Sequence, residues 1–305
     1  MSRRTAAAAT LALLAPLVTA VPAHAHTTGT AQATAACSLG LGSVNANGDH
    51  LSQGITAGNP PTASQKGVVA KARFTPGITR LHSTWTAEPE VPQDTLYSGY
   101  VVLNATMYAG QYQIGAVQDE SLHLSRIGAG WDQFTYFERS QYDEGAQPGG
   151  VAHTHYYGLR EDGTLFRWKD GWKADGSYGG FGAVKTMALI SQTRTYDTFI
   201  ANTRGGALYT IHIPVTSPLK PIVKQIRPGT WQGFESLVAE RCGQYGTMLL
   251  GIDKDTKTGY LYAVGHATGS STVINGLGKV PTTFNDPVYF RWTAVPWASD
   301  PLNGE

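Results

Sequence analysis

From Lys66 onward the chain alternates apolar and polar residues in short runs, as in Val68-Val69-Ala70-Lys71-Ala72-Arg73-Phe74 and Tyr260-Leu261-Tyr262-Ala263-Val264. A period of two puts every second side chain on one face of a strand, so this region is predicted to be strands joined by tight turns. The stretch from His26 to Gln65 has a different texture: Thr, Ala, Gly, Ser and Asn dominate, Pro60-Pro61 interrupts it, and little periodicity remains. It predicts a flexible N-terminal arm over residues 26–65. The first 25 residues pair Arg3 and Arg4 with an uncharged apolar stretch from Ala6 to Val21 and end on Ala23-His24-Ala25. That order predicts a secretory signal peptide cut after Ala25, by the general or the twin-arginine route. Pro16 and Pro22 break the stretch, which is shorter than the roughly 20 residues a membrane span needs.

Composition narrows the class. Of 305 residues 41% are hydrophobic and 15% charged, which excludes a chain disordered throughout. The 36 Gly, 15 Tyr and 7 Trp favour many short strands over long helices. Net charge is +1 with no Lys/Arg cluster, so a nucleic-acid groove and an electrostatic membrane anchor are both disfavoured. The two cysteines, Cys37 and Cys242, are predicted to form one disulfide in an oxidising compartment, pinning the arm to the body of the domain.

Self-similarity then sets the architecture. An aromatic residue follows a Gly- or Ser-rich strand end at Trp85, Trp131, Tyr178 and Trp231, at intervals of 46, 47 and 53 residues. Between them a turn glycine followed by Leu and an aromatic recurs in Gly163-Thr164-Leu165-Phe166, Gly206-Ala207-Leu208-Tyr209 and Gly259-Tyr260-Leu261-Tyr262. Each unit holds about four strands, the size of a propeller blade. The expectation is an all-β, five-bladed β-propeller over residues 66–298 with a short tail at 299–305. Its last blade takes two strands after Pro281 and is closed by N-terminal strands from 67 to 82, which leaves no open edge.

The segments Ile127 to Phe137 and Gly259 to Val264 resemble the blade signature of the tachylectin-like β-propeller lectins, in which a Gly-rich turn enters a Trp and, after two residues, a Phe, and a Gly-x-Leu-Tyr-Ala-Val strand follows. The resemblance covers Lys66 to about Trp297; Tyr178 stands where the family has Trp, and Glu88 where it has Phe. It implies a non-catalytic protein that binds N-acetylated sugars in pockets between neighbouring blades. Trp85, Trp131, Tyr178 and Trp231 are the candidates to stack on a sugar ring, or else they pack as core; Asp132, Gln133 and Gln232 are the candidates to bond its hydroxyls.

Other chemistry is sparse. His153 and His155 share one strand face without a third metal ligand nearby, and Asp253 to Gly259 reads as a polar turn rather than a calcium loop. No nucleophile elbow, zinc-protease motif or nucleotide-binding loop is present. A propeller glycoside hydrolase would need two convergent carboxylates from Glu138, Glu235, Glu240, Asp132 and Asp286. A secreted protein-interaction module is the third reading. The favoured expectation is a secreted, extracellular binding protein, a monomer or weak oligomer, that takes glycans, needs no cofactor or metal, and has neither nucleic acid nor membrane as partner.

Overall fold

The computed structural model describes residues 36–90, 93–115, 121–145, 149–293 and 302–305. The signal-peptide expectation and the first part of the predicted arm lie outside them. Among the described residues the unit Ala36–Glu305 is all-β, with 22 strands and three single-turn 3-10 segments. No helix there is long and apolar enough to cross a membrane.

Three sheets are consecutive four-stranded antiparallel meanders. Strands β10 (Phe134–Asp143), β11 (Ala152–Arg160), β12 (Leu165–Lys169) and β13 (Lys173–Tyr178) form one. The second holds β14 (Val184–Gln192), β15 (Tyr196–Thr203), β16 (Leu208–Pro214) and β17 (Ile222–Arg227). The third holds β18 (Ser236–Cys242), β19 (Gly246–Asp253), β20 (Thr258–Val264) and β21 (Ile274–Lys279).

A ten-stranded sheet takes the rest. One half is β5 (Thr79–His82) and β6 (Trp85–Pro89), both paired to β7 (Thr95–Leu103), followed by β8 (Thr106–Ile114) and β9 (His123–Ala129). The other half begins with β22 (Val288–Thr293) and continues through β1 (Ser38–Val44) to β2 (His50–Thr56), with β3 (Thr62–Ala63) and β4 (Gly67–Ala70) along its outer side. A short parallel pairing, Trp292 with Trp85 and Thr293 with Thr86, joins the halves. Each half is thus a meander of four strand positions, with one position split in two.

N-terminal strands do lie in the sheet of the C-terminal strand, β4 and β5 from the expected region 67–82 among them, but neither pairs directly with β22. The direct partner of β22 is β1, inside the segment predicted to be a flexible arm, while β4 pairs with β2 and β5 with β7. The reason is local. In β1 the apolar Leu39 and Leu41 alternate with Gly40 and Gly42, and a Cβ at Gly42 would fall 2.2 Å from the Phe290 ring. Large side chains on β22 fill the space that residues of β1 would normally fill, so the strand reads as small and polar. The segment 302–305, part of the predicted C-terminal tail, is docked: Leu302 is buried, and the Gly304 N–H donates to the Ile190 carbonyl at 2.8 Å.

Five buried aromatic residues bind successive units by one repeated main-chain bond. Phe74, Trp131, Phe181, Trp231 and Phe284 donate their N–H to the carbonyls of Gly48, Ala105, Gly163, Gly206 and Lys257, all at 2.9–3.0 Å. Each acceptor sits in the turn between the second and third strand positions of the preceding unit. Burying each ring contributes roughly 2–3 kcal/mol, and the bond fixes where the next strand starts.

The leading strands of the units touch in order: β5 contacts β10, β10 contacts β14, β14 contacts β18, β18 contacts β22 and β22 contacts β5. The contacts return to their start, although no single sheet closes on itself. His82, Glu138, Leu189, Leu237 and Arg291, one from each leading strand, line a small cavity of about 40 Å³ together with Leu302.

Candidate ligand pocket

A cavity of about 480 Å³ is lined by Gly40, Gln53, Tyr97, Glu240, Arg291 and Trp292, among others. Its walls come from β1, β2, β7, β18 and β22, so it spans the junction of the two halves of the ten-stranded sheet and the neighbouring sheet. Gly40 lies opposite Gly54 in the β1–β2 register. A Cβ at Gly40 would meet the Trp292 carbonyl oxygen at 2.7 Å, so glycine lets the strands approach and leaves the floor without side chains.

The aromatic wall is rigid. The Trp292 indole N–H donates to the Leu51 carbonyl at 2.9 Å, and the Tyr97 ring meets the indole edge-on at 5.4 Å. Tyr97 is itself stacked on Tyr112 at 4.9 Å. Burial raises the pKa of both phenols, so both rings are neutral at physiological pH.

The polar wall carries both signs of hydrogen-bonding group. Arg291 donates two bonds to Glu240, Nε to Oε2 at 2.8 Å and Nη2 to Oε1 at 2.6 Å, a fork that fixes both side chains. The Gln53 amide nitrogen donates to the Ser64 carbonyl at 2.7 Å and to Thr282 Oγ1 at 3.2 Å, while its Oε1 is buried with no protein donor. Buried acceptors are rarely left alone, because an unpaired one costs about 1–3 kcal/mol.

A smaller cavity of about 200 Å³, lined by Gly99, Tyr100, Gly110, Gln111, His123 and Arg139, occupies the same register on the next unit. Gly99 opposes Gly110 four pairs from the β7–β8 turn, as Gly40 opposes Gly54 four pairs from the end of the β1–β2 ladder.

The structure separates the sequence-predicted residues into two groups. Trp85, Trp131 and Trp231 are buried, Trp131 against Phe134 and Trp168, Trp231 against Phe234 and Tyr262, so protein covers their rings. Asp132, Gln133, Tyr178 and Gln232 are exposed. None of the seven lines either cavity described above. The pocket residues Gly40, Gln53 and Tyr97 escaped sequence reasoning; the one available signal was the alternation of Gly40 and Gly42 with Leu39 and Leu41.

The remaining candidates have structural partners. His155 Nδ1 bonds Asp197 Oδ2 at 3.1 Å and His153 Nε2 bonds the Thr193 carbonyl at 3.0 Å. Among the described residues no group of three His, Cys, Asp or Glu is placed to hold a metal ion. Asp253 Oδ1 accepts the Thr256 N–H at 2.9 Å, a local turn bond. Glu138 accepts from Thr84 N–H and Oγ1 and from the Arg139 N–H, and burial raises its pKa against those bonds. Glu235 is held by Lys185 and Asp286 by Lys66 and Ser43. Cys37 and Cys242 form a disulfide that ties the chain just before β1 to the end of β18.

No family model and no curated protein matches the chain. Among solved structures it is similar, at 9% identity and a TM-score of 0.39, to the SapL1 lectin in complex with alpha methyl fucoside, over 80% of this chain and 97% of that one. It is also similar to the WD40 domain of SCAP from fission yeast, at 7% identity and a TM-score of 0.36, over 83% of this chain and 70% of that one. The fission yeast SREBP–SCAP binding domains give 9% identity and a TM-score of 0.32, over 84% of this chain and 78% of that one.

Proposed function

We propose that the chain is an exported, non-catalytic five-bladed propeller that binds glycans carrying N-acetylated sugars in the Gly40–Trp292 pocket. The five repeated N–H···O bonds and the returning order of leading-strand contacts support the blade count. The observation that carries the ligand assignment is the pairing of a fixed Tyr97–Trp292 wall with the donorless Gln53 Oε1. An acetamido group supplies both complements, an N–H for the amide oxygen and a methyl for the rings, while sugar hydroxyls bond Glu240 and Arg291. Export rests on the N-terminal sequence and is favoured by the disulfide.

A site of this size with a few hydrogen bonds binds one sugar at roughly 0.1–1 mM, and repetition on a dense glycan raises avidity by about a hundredfold or more. A glycan array probed with the mature protein tests the reading. Enrichment on N-acetylated glycans is expected; uniform absence of signal, or release of reducing ends from a glycan substrate, overturns it.

A further inference from the structure

The register that forms pockets at Gly40–Gly54 and Gly99–Gly110 recurs in the sheet of β14 to β17, where Thr198 opposes His212 four pairs from Asn202–Leu208. This position is filled by the side chain of Glu305. Its Oε2 accepts from Thr198 Oγ1 and from His212 Nδ1, the latter at 2.7 Å, and the Glu305 side chain is only 9% exposed. The main chain is held as firmly: Tyr196 OH donates to the Glu305 main-chain oxygen at 2.6 Å, and the Glu305 N–H donates to Ser191 Oγ at 2.8 Å.

We infer that Thr198 and His212, flanked by Ser191 and Tyr196, form a carboxylate-binding site, that Glu305 is its internal occupant, and that the ligand it accepts once Glu305 is displaced is an acidic sugar of the hexuronic class. The carboxylate requirement follows from the donors: two side-chain groups converge on one oxygen of Glu305. The sugar assignment follows from what adjoins them. The Tyr196 and His212 rings lie against each other beside the carboxylate, centroids 4.4 Å apart and tilted by 31°. A cavity of about 480 Å³ opens from Tyr196 and is lined by the amides of Gln192, Gln244 and Asn303 and by Arg194 and Arg241. Amides match hydroxyls, and the guanidinium groups, Arg194 at 3.5 Å from Glu144 and Arg241 bonded to the Gly243 carbonyl, add positive charge to the cavity wall. The register comparison rests on the blade reading above; the carboxylate contacts do not.

Glu305→Ala removes the occupant while the main-chain bonds of Leu302 to Gln192 and of Gly304 to Ile190 and Ala267 keep the segment in place. The variant is to be titrated with propionate, D-glucuronate and D-glucose by calorimetry, with the His212 ring followed by NMR. Propionate and glucuronate should bind at millimolar concentration, at least tenfold more tightly than to the wild type, with glucose silent, and His212→Ala in the same background should abolish both. A folded Glu305→Ala protein that binds neither carboxylate, a wild type that binds as tightly, or a preference for propionate with no glucuronate binding would each overturn the assignment. Tyr97→Ala should leave these titrations unchanged, which separates this test from that of the N-acetylated-sugar pocket.

Discussion

Asp197 accepts the phenolic proton of Tyr157 at 2.7 Å, both residues fully buried, across the boundary between the sheets of β11 and β15. The same carboxylate takes the Ser140 hydroxyl at 2.5 Å and His155 Nδ1 at 3.1 Å. Three donors from one sheet therefore converge on one acid from the next. Although Ser, His and Asp meet here, the serine bonds the acid rather than the imidazole and all are out of reach of solvent, so the group acts as a weld between sheets.

Removing that acid should leave buried donors unpaired. Asp197→Ala is expected to destabilise the fold by about 3–5 kcal/mol, measured as a shift in the urea midpoint at constant slope. Ser140→Ala, which removes one donor and leaves Asp197 with two, should cost about 1 kcal/mol.

The aromatic cluster around Trp85 contains two buried histidines. Burial lowers the pKa of His50 well below its usual 6.5, helped by His82 and Arg73, and lowers that of His82 to about 3. The unfolded chain takes up protons as pH falls through 6.5 while the folded protein resists, so stability is fully present above that value and falls below it, by up to about 1.4 kcal/mol per pH unit for each histidine. Urea unfolding at pH 7 and pH 5 should show this loss, and His82→Phe, which keeps the stack on Phe290, should reduce it.

The repeated turn bond makes a contrast between two glycines. Gly48 has φ +80° and a Cβ there would fall 1.8 Å from the Phe74 carbonyl oxygen, whereas Gly77 has φ +77° with open space around it. Gly77→Ala should cost about 1–2 kcal/mol from the left-handed conformation alone. Gly48→Ala should cost at least twice that, because it also displaces the chain entering β5.

The disulfide spans a sequence separation of 205 residues. In the chain-entropy model a loop of that length stabilises by about 5 kcal/mol. The Cys37→Ser/Cys242→Ser double variant should accordingly unfold at lower urea, and peptide mapping without reduction should recover one cross-linked pair from the wild type.

The all-β class and the repeat were legible because Trp131, Trp231 and the Gly163 and Gly206 turns are large or special residues at fixed offsets. Three of the five anchors were harder to see. Phe181 lies three residues beyond the more conspicuous Tyr178, which is exposed at the end of β13, while Phe74 and Phe284 sit in stretches without Trp. Trp85 stood out instead, but its indole packs at the junction of the two halves of the ten-stranded sheet, against His50 and Trp292, where Gly99 makes room for it: a Cβ there would lie 2.3 Å from the ring. The pocket was illegible for a related reason. Gly40, Gly54, Gly99 and Gly110 work by what they lack, and apolar periodicity cannot register a missing side chain.

The central claim is that the Gly40–Trp292 pocket takes an N-acetylated sugar, and calorimetric titration of the protein with N-acetylglucosamine oligomers tests it most directly. The expected result is a dissociation constant on the order of 0.1–1 mM, lost on Tyr97→Ala and weakened at least tenfold by Gln53→Leu, with both variants folded. A folded wild type that binds no N-acetylated oligomer in solution or on an immobilised surface, or that binds one equally well after Tyr97→Ala, would contradict it.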